Sequence, residues 1–435
     1  MTAFTRRAGI QAAATAGALL AGGRTSAALA AQPTPVRTRS LADLTGMLGV
    51  CMETTGGGVW GEHAKILTAL RELGATWFRS PFSAGNNNQA AWCRELGANG
   101  VKLNAMVVGP GQGATPEATV KWIAGNVAGA LHSIEGTNEW DLKGGVDWPT
   151  ELRDHQTRLY RAAKANSATR RVPVLAPAFG TPWRPDSYDA FGYAGDICDM
   201  GNSHIYTGGF VPGYRSDLML DFERRVTGPL PQAVTETGWH NAIYTGTSHL
   251  YTPEDVAGVY APRLLLEYFI RDTPKVAIYE LVDDARDPEG NDRESHFGLL
   301  RFDFSRKPAF ISLANFMRII NLQFRVGGQG MPAPLQPRVT VGDGLRDTDV
   351  RTVLVPRPDG RHLVFVWRSQ AAIYEPRTRV YLNPGRVAVS LDWSISRRVR
   401  RYVPNRSATA RDVTVTSRTE LSVGAEAQVL IVEPE

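Results

Sequence analysis

Short apolar runs alternate with amphipathic stretches from about residue 45 to residue 322. Each apolar run is followed by a segment in which apolar residues recur at every third or fourth position. This order is typical of repeated strand–helix units whose parallel strands form one buried sheet. The predicted strands are Met47–Met52, Thr76–Arg79, Lys102–Val108, Leu131–Asn138, Pro173–Ala178, Met200–Tyr206, Gln232–Thr235 and Val276–Leu281.

Helical periodicity fills the connections between these strands, although it is weakest in the fifth connection, Pro185 to Ala194. Eight such strand–helix units in about 270 residues predict an α/β fold of the (β/α)8 TIM barrel type, which we place at residues 40–325. A doubly wound open sheet is the alternative, but Thr54–Gly58 lacks the spacing of a dinucleotide-binding fingerprint. The predicted helices are Glu62–Leu73, Gln89–Leu96, Pro116–Val127, Glu151–Ala165, Asp217–Val226, Pro253–Ile270 and Pro308–Ile320.

The pattern changes after about residue 325. Gly327–Pro337 has the composition of a linker, and turn sequences such as Pro358-Asp359-Gly360 separate short alternating segments beyond it. Residues 338–435 are therefore predicted to form a C-terminal antiparallel β-sandwich. Its predicted strands are Arg351–Val355, His362–Trp367, Thr378–Tyr381, Val387–Leu391, Val399–Val403, Asp412–Thr416 and Gln428–Val432.

Residues 1–30 have the pattern of an export signal. The pair Arg6-Arg7 precedes an uncharged run, Ala8–Gly23, and Ala28–Ala30 supplies a small-x-small cleavage pattern. The paired arginines predict a twin-arginine signal and a secreted or cell-envelope protein, with an ordinary secretory signal as the alternative. A membrane-anchored N-terminus is a further alternative, but the run falls short of the about 20 apolar residues that a span needs.

Charge and cysteine content exclude several classes of protein. The formal net charge of +5 includes three arginines and no acid from residues 1–30, which leaves about +2 for the mature chain. Nucleic acid is therefore not an expected partner. The cysteines Cys51, Cys93 and Cys198 are too few for a disulfide framework or a zinc site, so buried thiols are favoured over one bridge and one free thiol. No metal or organic cofactor is expected.

Polar side chains end most of the predicted barrel strands, where the active site of a TIM barrel lies. Glu139 and Glu236 end two strands that are three β/α units apart, so we expect them to face each other across the barrel mouth. Two facing carboxyl groups suit cleavage of a glycosidic bond, which needs one acid and one base or nucleophile. The other strand-end residues are Glu53, Arg79, Asn138, His204, Tyr206 and Glu280.

Tryptophans in the predicted strand-to-helix loops give a weaker indication of the same chemistry. Trp60, Trp140 and Trp239 all fall on the predicted catalytic face. Aromatic rings commonly stack on the apolar face of a sugar, and packing against neighbouring loops is the alternative role for each of them.

Several of these segments resemble motifs of clan A retaining glycoside hydrolases, among them the cellulase-like family five and the xylosidase-like family thirty-nine. Gly136-Thr137-Asn138-Glu139 resembles the Asn-Glu signature of strand four, and Thr235-Glu236-Thr237-Gly238 resembles the nucleophile segment of strand seven. Arg79 and His204-x-Tyr206 match residues of strands two and six. Many members end strand eight with tryptophan, whereas this chain has Tyr279-Glu280-Leu281.

The resemblance implies a retaining glycoside hydrolase that acts on a polysaccharide or oligosaccharide, and the N-terminal signal predicts that it is secreted. Glu139 would be the acid/base, with a raised pKa, and Glu236 the nucleophile, held by Arg79 and Tyr206. Asn138 would bind the sugar 2-hydroxyl, and Glu135 is expected to be a buried structural partner of Arg79 or of a backbone group. The alternatives are a non-catalytic carbohydrate-binding protein and an envelope-remodelling transglycosylase. The remaining expected substrate contacts are His204, Trp239, Glu53, Glu280, Trp60 and Trp140.

Overall fold

The computed structural model describes residues 34–244, 249–322, 335–342 and 349–434. The predicted export signal at residues 1–30 and most of the predicted linker at residues 327–337 lie outside these ranges. Within them, none of the helices combines the length and the apolar character that a bilayer span requires.

Eight parallel strands form a closed barrel among the described residues. Strands β1 to β5 pair in chain order, as do β6 to β8, and β8 pairs with β1. The bridge between Leu175 and Met200 joins β5 to the start of β6. The predicted TIM barrel is therefore confirmed. Its strands are β1 (Leu48–Cys51), β2 (Trp77–Phe82), β3 (Lys102–Val107), β4 (Leu131–Glu135), β5 (Val174–Leu175), β6 (Gly201–His204), β7 (Gln232–Thr237) and β8 (Lys275–Ile278).

Helices surround the barrel and bury the outer faces of its strands, which explains why β7 is buried along its whole length. The weak fifth connection does contain a helix, and Pro185 occupies its first turn, where the missing N–H costs nothing. Two short helices, α1 and α5, were not predicted. The helices are α1 (Leu41–Thr45), α2 (His63–Leu73), α3 (Asn87–Ala98), α4 (Pro116–Asn126), α5 (Trp140–Lys143), α6 (Trp148–Ala165), α7 (Pro185–Phe191), α8 (Ser216–Thr227), α9 (Glu254–Phe269) and α10 (Pro308–Ile320).

The amino-terminal end of the barrel is filled by Trp77. Its buried indole stacks on His132 with ring centroids 4.9 Å apart, and its Nε1 donates to the Met47 carbonyl at 3.2 Å. Because this end is closed by an aromatic ring, the polar residues inside the barrel lie toward its carboxyl-terminal end, where TIM barrels carry their sites.

The C-terminal region is an antiparallel β-sandwich, as predicted. The long strand β14 bends between Asp392 and Arg397, so that its first half pairs with β9 and its second half with β16. The predicted strands Val387–Leu391 and Val399–Val403 are thus two halves of one strand that serves both layers. The strands are β9 (Arg338–Val341), β10 (Val350–Pro356), β11 (His362–Arg368), β12 (Tyr374–Glu375), β13 (Val380–Tyr381), β14 (Val387–Val403), β15 (Ser407–Val423) and β16 (Gln428–Val432).

The sandwich also takes in residues that precede the barrel. Thr34–Pro35 pairs antiparallel with β9, and Arg37–Thr38 pairs parallel with β10. These two-residue strands are too short to show any periodicity, so the sequence did not predict them.

One face of the sandwich packs on α9 and α10 of the barrel. The buried guanidinium of Arg263 donates to the carbonyls of Ala371, Ala425 and Ser369 at 2.9–3.2 Å. Trp367 Nε1 donates to Glu267 Oε1 at 2.7 Å. Because these buried polar groups form hydrogen bonds across the boundary, the sandwich and the barrel are packed as one structural unit.

The cysteines Cys51, Cys93 and Cys198 are all buried and unpaired, which confirms the predicted buried thiols. Burial raises the pKa of Cys93 and of Cys198 to about 12. Both thiols therefore stay protonated and unreactive near neutral pH.

Glu223 of α8 is fully buried beside β6. Its Oε1 accepts from the Asn202 backbone N–H at 3.1 Å, and its Oε2 has no hydrogen-bond partner. Burial raises the pKa of Glu223 from 4.5 to about 8. The folded protein therefore holds this carboxyl in its neutral form at neutral pH.

The free energy of unfolding should fall less with rising pH in the Glu223→Gln variant than in the parent protein. Between about pH 4.5 and about pH 8 the folded state keeps a proton that the unfolded state releases, so the free energy of unfolding falls through this window. The free energy of unfolding falls by about 1.4 kcal/mol for each unit by which folding raises the pKa of Glu223. Urea unfolding at pH 5 and pH 8.5 measures it, with exposed Glu95→Gln as the control. Equal pH slopes in the Glu223→Gln variant and the parent protein would contradict this assignment.

Candidate active site

The guanidinium of Arg79, on β2, is buried at the centre of the barrel mouth. Its Nε donates to Glu135 at 2.9 and 3.0 Å, its Nη1 to Glu236 Oε1 at 2.6 Å, and its Nη2 to Asn138 Oδ1 at 2.7 Å. Burial alone would lower the pKa of Arg79, but the charges of Glu135 and Glu236 raise it well above its ordinary value. One permanent cation therefore joins β2 to residues of β4 and β7.

Glu135 holds Arg79 from below, which confirms its predicted structural role. Its carboxylate is inaccessible to solvent, and it also accepts from Asn104 Nδ2 and, at 3.2 Å, from Thr235 Oγ1. Asn104 and Thr235 were not predicted from the sequence as partners of Glu135. The signal was a polar residue inside each of two otherwise apolar strands, but only the barrel shows that both face one carboxylate.

Glu236 is positioned through both of its carboxylate oxygens. Oε1 accepts from Arg79, and Oε2 accepts from the Tyr206 hydroxyl at 2.8 Å. Burial and the charge of Glu236 raise the pKa of Tyr206 well above its ordinary value, so the phenol remains a donor. These two donors, from β2 and from the residues that follow β6, hold the carboxylate in a single orientation.

Glu139 follows β4 with its backbone in the left-handed region, at φ 49° and ψ 44°. This conformation costs a non-glycine residue about 1–2 kcal/mol and is characteristic of functional sites. Its N–H donates to the Ala178 carbonyl at 2.9 Å. A Cβ at Gly180 would lie 3.2 Å from Glu139 Cβ and 2.3 Å from Leu142 Cδ1, so glycine is needed where the loop after β5 approaches.

His204 lies between the two carboxylates. Its Nδ1 is 2.8 Å from Glu139 Oε1 and 3.6 Å from Glu236 Oε2, and its Nε2 is 3.4 Å from Arg79 Nη2. A guanidinium can only donate, so Nε2 is the acceptor and Nδ1 carries the proton that is donated to Glu139. The contact with Arg79 therefore assigns the tautomer of the imidazole.

The pKa of Glu139 departs from the expectation. Burial raises the pKa of this carboxyl, but the hydrogen bond from His204 and the positive charge of Arg79 outweigh burial and place it below its ordinary value. The resemblance implied a raised pKa. The direction is reversed because the sequence did not reveal that His204 turns its Nδ1–H toward Glu139.

Glu139, His204 and Glu236 also offer donor atoms that lie within 4.8 Å of one another, a spacing that would suit a metal ion. In this cluster the donors are already used, since His204 bonds to Glu139 and both oxygens of Glu236 are bonded. The Arg79 cation lies directly against Glu236 and would repel a second cation. We therefore assign no metal to this cluster.

Glu53 and Glu280 lie on the adjacent wall of the mouth, beyond β1 and β8. The Leu281 N–H donates to the Cys51 carbonyl at 3.0 Å, which brings the chain around Glu280 beside the end of β1. Burial raises the pKa of both carboxyls, and nearby acids raise them further, although Arg79 partly offsets the rise at Glu53. Among the described residues, neither of them forms a hydrogen bond with Glu139 or Glu236.

The tryptophans are packed in the fold. Trp60, Trp140 and Trp239 are only 6–8% exposed. The ring of Trp140 fills the space above Gly109, where a Cβ would lie 2.4 Å from the indole, and Trp239 Nε1 donates to Thr207 Oγ1 at 2.8 Å. The low solvent exposure of these three tryptophans favours packing in the fold over stacking on a sugar. Trp183 and Tyr244, which are 46% and 69% exposed, are the more accessible aromatic residues of these loops.

Solved structures with this fold include glycosidases. A family 39 glycoside hydrolase from the gut symbiont Bacteroides cellulosilyticus WH2 superposes with a TM-score of 0.56 and 16% identity, over 91% of this chain and 83% of that one. A glucosidase from Croceicoccus marinus gives a TM-score of 0.54 and 13% identity, over 93% and 97%. No protein-family model and none of the curated proteins matches the chain. The resemblance to clan A and family thirty-nine is thus supported at the level of the fold.

Glu135→Ala should destabilise the barrel because it leaves the Arg79 guanidinium buried beside too little negative charge. Removing one partner of a buried ion pair typically costs about 3–5 kcal/mol. The free energy of unfolding in urea measures the loss. Glu117→Ala is the matched control, since Glu117 pairs with Arg158 on the surface. Equal losses in the two variants would contradict the central role of Glu135.

Proposed function

We propose that this protein is a retaining glycoside hydrolase in which Glu236 is the nucleophile and Glu139 the acid/base. The observation that carries the proposal is the placement of these two carboxylates at the ends of β7 and β4, with one oxygen of each within 4.8 Å of the other. Carboxyl groups about 5–5.5 Å apart suit double displacement, whereas inverting enzymes separate them by about 6.5–9.5 Å.

In the first step, Glu236 attacks the anomeric carbon while Glu139, in the fraction of enzyme in which it is protonated, gives its proton to the leaving oxygen. Arg79 and Tyr206 fix the attacking carboxylate before the reaction, so little reorganisation is needed. As Glu236 bonds to the sugar its negative charge disappears, and Glu135 remains to neutralise the buried Arg79. In the second step, Glu139 takes a proton from a water that attacks the anomeric carbon, and the bond between the sugar and Glu236 breaks, which restores the Glu236 carboxylate.

Asn138 has a defined part in this scheme. Its Oδ1 is held by Arg79 Nη2 at 2.7 Å, so its Nδ2 amino group is left as a donor. A donor beside the nucleophile suits the sugar 2-hydroxyl, whose hydrogen bond strengthens as the transition state develops. The intact pair of carboxylates favours this hydrolytic role over a carbohydrate-binding protein without turnover.

We also propose that the protein is exported by its twin-arginine-like signal and acts on a polysaccharide or oligosaccharide outside the cytoplasm. The Arg6-Arg7 pair and the Ala28–Ala30 segment support export. Intact-mass measurement of the protein recovered from its native host would test it. A mature chain that begins near residue 31 is expected, and a chain that keeps residues 1–30 would contradict cleavage at this site.

Glu236→Gln and Glu139→Gln should each lower kcat on aryl β-glycosides by about 10³-fold or more, because each removes a group that acts in the transition state. Glu289→Gln is the matched control, since Glu289 is exposed on the β8–α10 loop. Proton NMR of the first product should show retention of the anomeric configuration. Full activity in Glu236→Gln, or an inverted first product, would overturn the assignment.

His204→Ala should move the alkaline limb of the kcat/KM profile to higher pH. His204 lowers the pKa of Glu139, so its removal lets Glu139 keep the catalytic proton to higher pH. The pH profile of the variant is compared with that of the parent enzyme on the same aryl glycoside. An unchanged limb, or one that moves to lower pH, would show that His204 does not control Glu139.

A further inference from the structure

The loop between β5 and α7, residues 176–184, passes beside the proposed acid/base. Asn138 forms a parallel bridge with Ala178, and the Glu139 N–H donates to the Ala178 carbonyl at 2.9 Å. Two residues further on, a Cβ at Gly180 would lie 3.2 Å from the Cβ of Glu139. This loop therefore forms the edge of the barrel mouth next to Glu139.

Asp141 attaches this loop to helix α5, which begins directly after Glu139. Its Oδ1 accepts from the Gly180 N–H at 2.8 Å, and its Oδ2 accepts from the hydroxyls of Thr181 and Ser187 at 2.9 and 3.0 Å. Three hydrogen bonds to one carboxyl group hold the loop in a fixed position relative to Glu139.

Trp183 lies at the tip of the loop, in a turn where the Arg184 N–H donates to the Thr181 carbonyl at 3.0 Å. It is 46% exposed, which makes it the most exposed aromatic side chain of the described loops that follow β3, β4, β5 and β6. The apolar core beneath the loop forms without it, since Phe179 packs edge-on against Tyr188 with ring centroids 4.8 Å apart. Packing in the fold therefore does not account for the position of Trp183.

Trp183 is within reach of the leaving group of the proposed reaction. Glu139 gives its proton to the leaving oxygen, so the leaving group lies on the Glu139 side of the mouth. Trp183 is three residues beyond Gly180, and three residues of chain span at most about 11 Å. The side chain of Leu142, which is 58% exposed, borders Gly180 and adds apolar surface between Glu139 and this loop.

We propose that Trp183 is a platform on which a sugar of the leaving group stacks, so that the preferred substrate carries a sugar chain as its leaving group. This inference rests on the proposed function. A sugar ring has an apolar face that packs on an indole, and covering the exposed ring of Trp183 removes apolar surface from water. Because Asp141 already fixes the loop, little ordering is needed when the sugar binds.

The experiment compares oligosaccharides with substrates that have no sugar in the leaving group. Cellotetraose and laminaritetraose are each paired with β-glucosyl fluoride, and xylotetraose with β-xylosyl fluoride, because the leaving group of a fluoride is a single atom. For the pair that the parent protein cleaves, the ratio of kcat/KM on the tetrasaccharide to kcat/KM on the fluoride should fall about 10-fold in Trp183→Ala. An equal ratio in Trp183→Ala and in the parent protein would overturn the proposal.

Two further variants test whether the effect belongs to the aromatic face of Trp183. Trp183→Phe keeps an aromatic ring, so its ratio should stay within about threefold of the parent value. Tyr193→Ala removes a side chain that is 57% exposed in the connection from α7 to β6, at the opposite end of the barrel, and should leave the ratio unaltered. A fall of the same size in Tyr193→Ala as in Trp183→Ala would contradict a specific role of Trp183.

Binding measurements separate this inference from the proposed hydrolysis. If the parent protein hydrolyses neither fluoride, the proposed function fails, and calorimetry with the three tetrasaccharides tests Trp183 without turnover. Binding that is about 10-fold weaker in Trp183→Ala than in the parent protein supports Trp183 as a sugar platform. Equal binding by the two proteins, or no binding of any of the three tetrasaccharides, contradicts it.

Discussion

The buried guanidinium of Arg79 is the interaction on which the rest of the site depends. It reaches Glu135 below, Glu236 beside it and Asn138 above, so it joins strand β2 to residues of β4 and β7. It also fixes the proton on His204, because a cation next to Nε2 leaves Nδ1 as the donor. A buried charge is tolerated only when its partners are fully formed, and a barrel that satisfies Arg79 has therefore assembled the proposed active site.

The carboxyl groups of the mouth differ because their surroundings differ. Glu236 receives two donors, Glu139 receives one from an imidazole, and Glu280 has an oxygen that receives none. In the proposed mechanism the same functional group acts once as the nucleophile and once as the acid/base. Surroundings that give two carboxyl groups different roles are a general feature of glycosidase sites.

The sandwich supports this arrangement from outside. Arg263 and Glu267 on α9 form buried hydrogen bonds with the sandwich, and α9 is the helix that follows β7, the strand carrying Glu236. The chain also passes through the sandwich before it enters the barrel, at Thr34–Thr38. The two units are therefore folded against each other along a boundary that contains buried polar groups, and we infer a structural role for the sandwich.

The sequence by itself determined the barrel, the sandwich and the positions of Glu139 and Glu236, because strand periodicity and strand ends are local properties of the chain. It also indicated Arg79, Asn138, His204 and Tyr206 through motifs of a few residues. Only the tertiary structure decided which tryptophans are buried, that β14 bends to serve both layers, and that His204 lowers the pKa of Glu139. These features depend on groups distant in the chain that meet only after folding, such as Trp140 with Gly109 and Glu135 with Asn104 and Thr235.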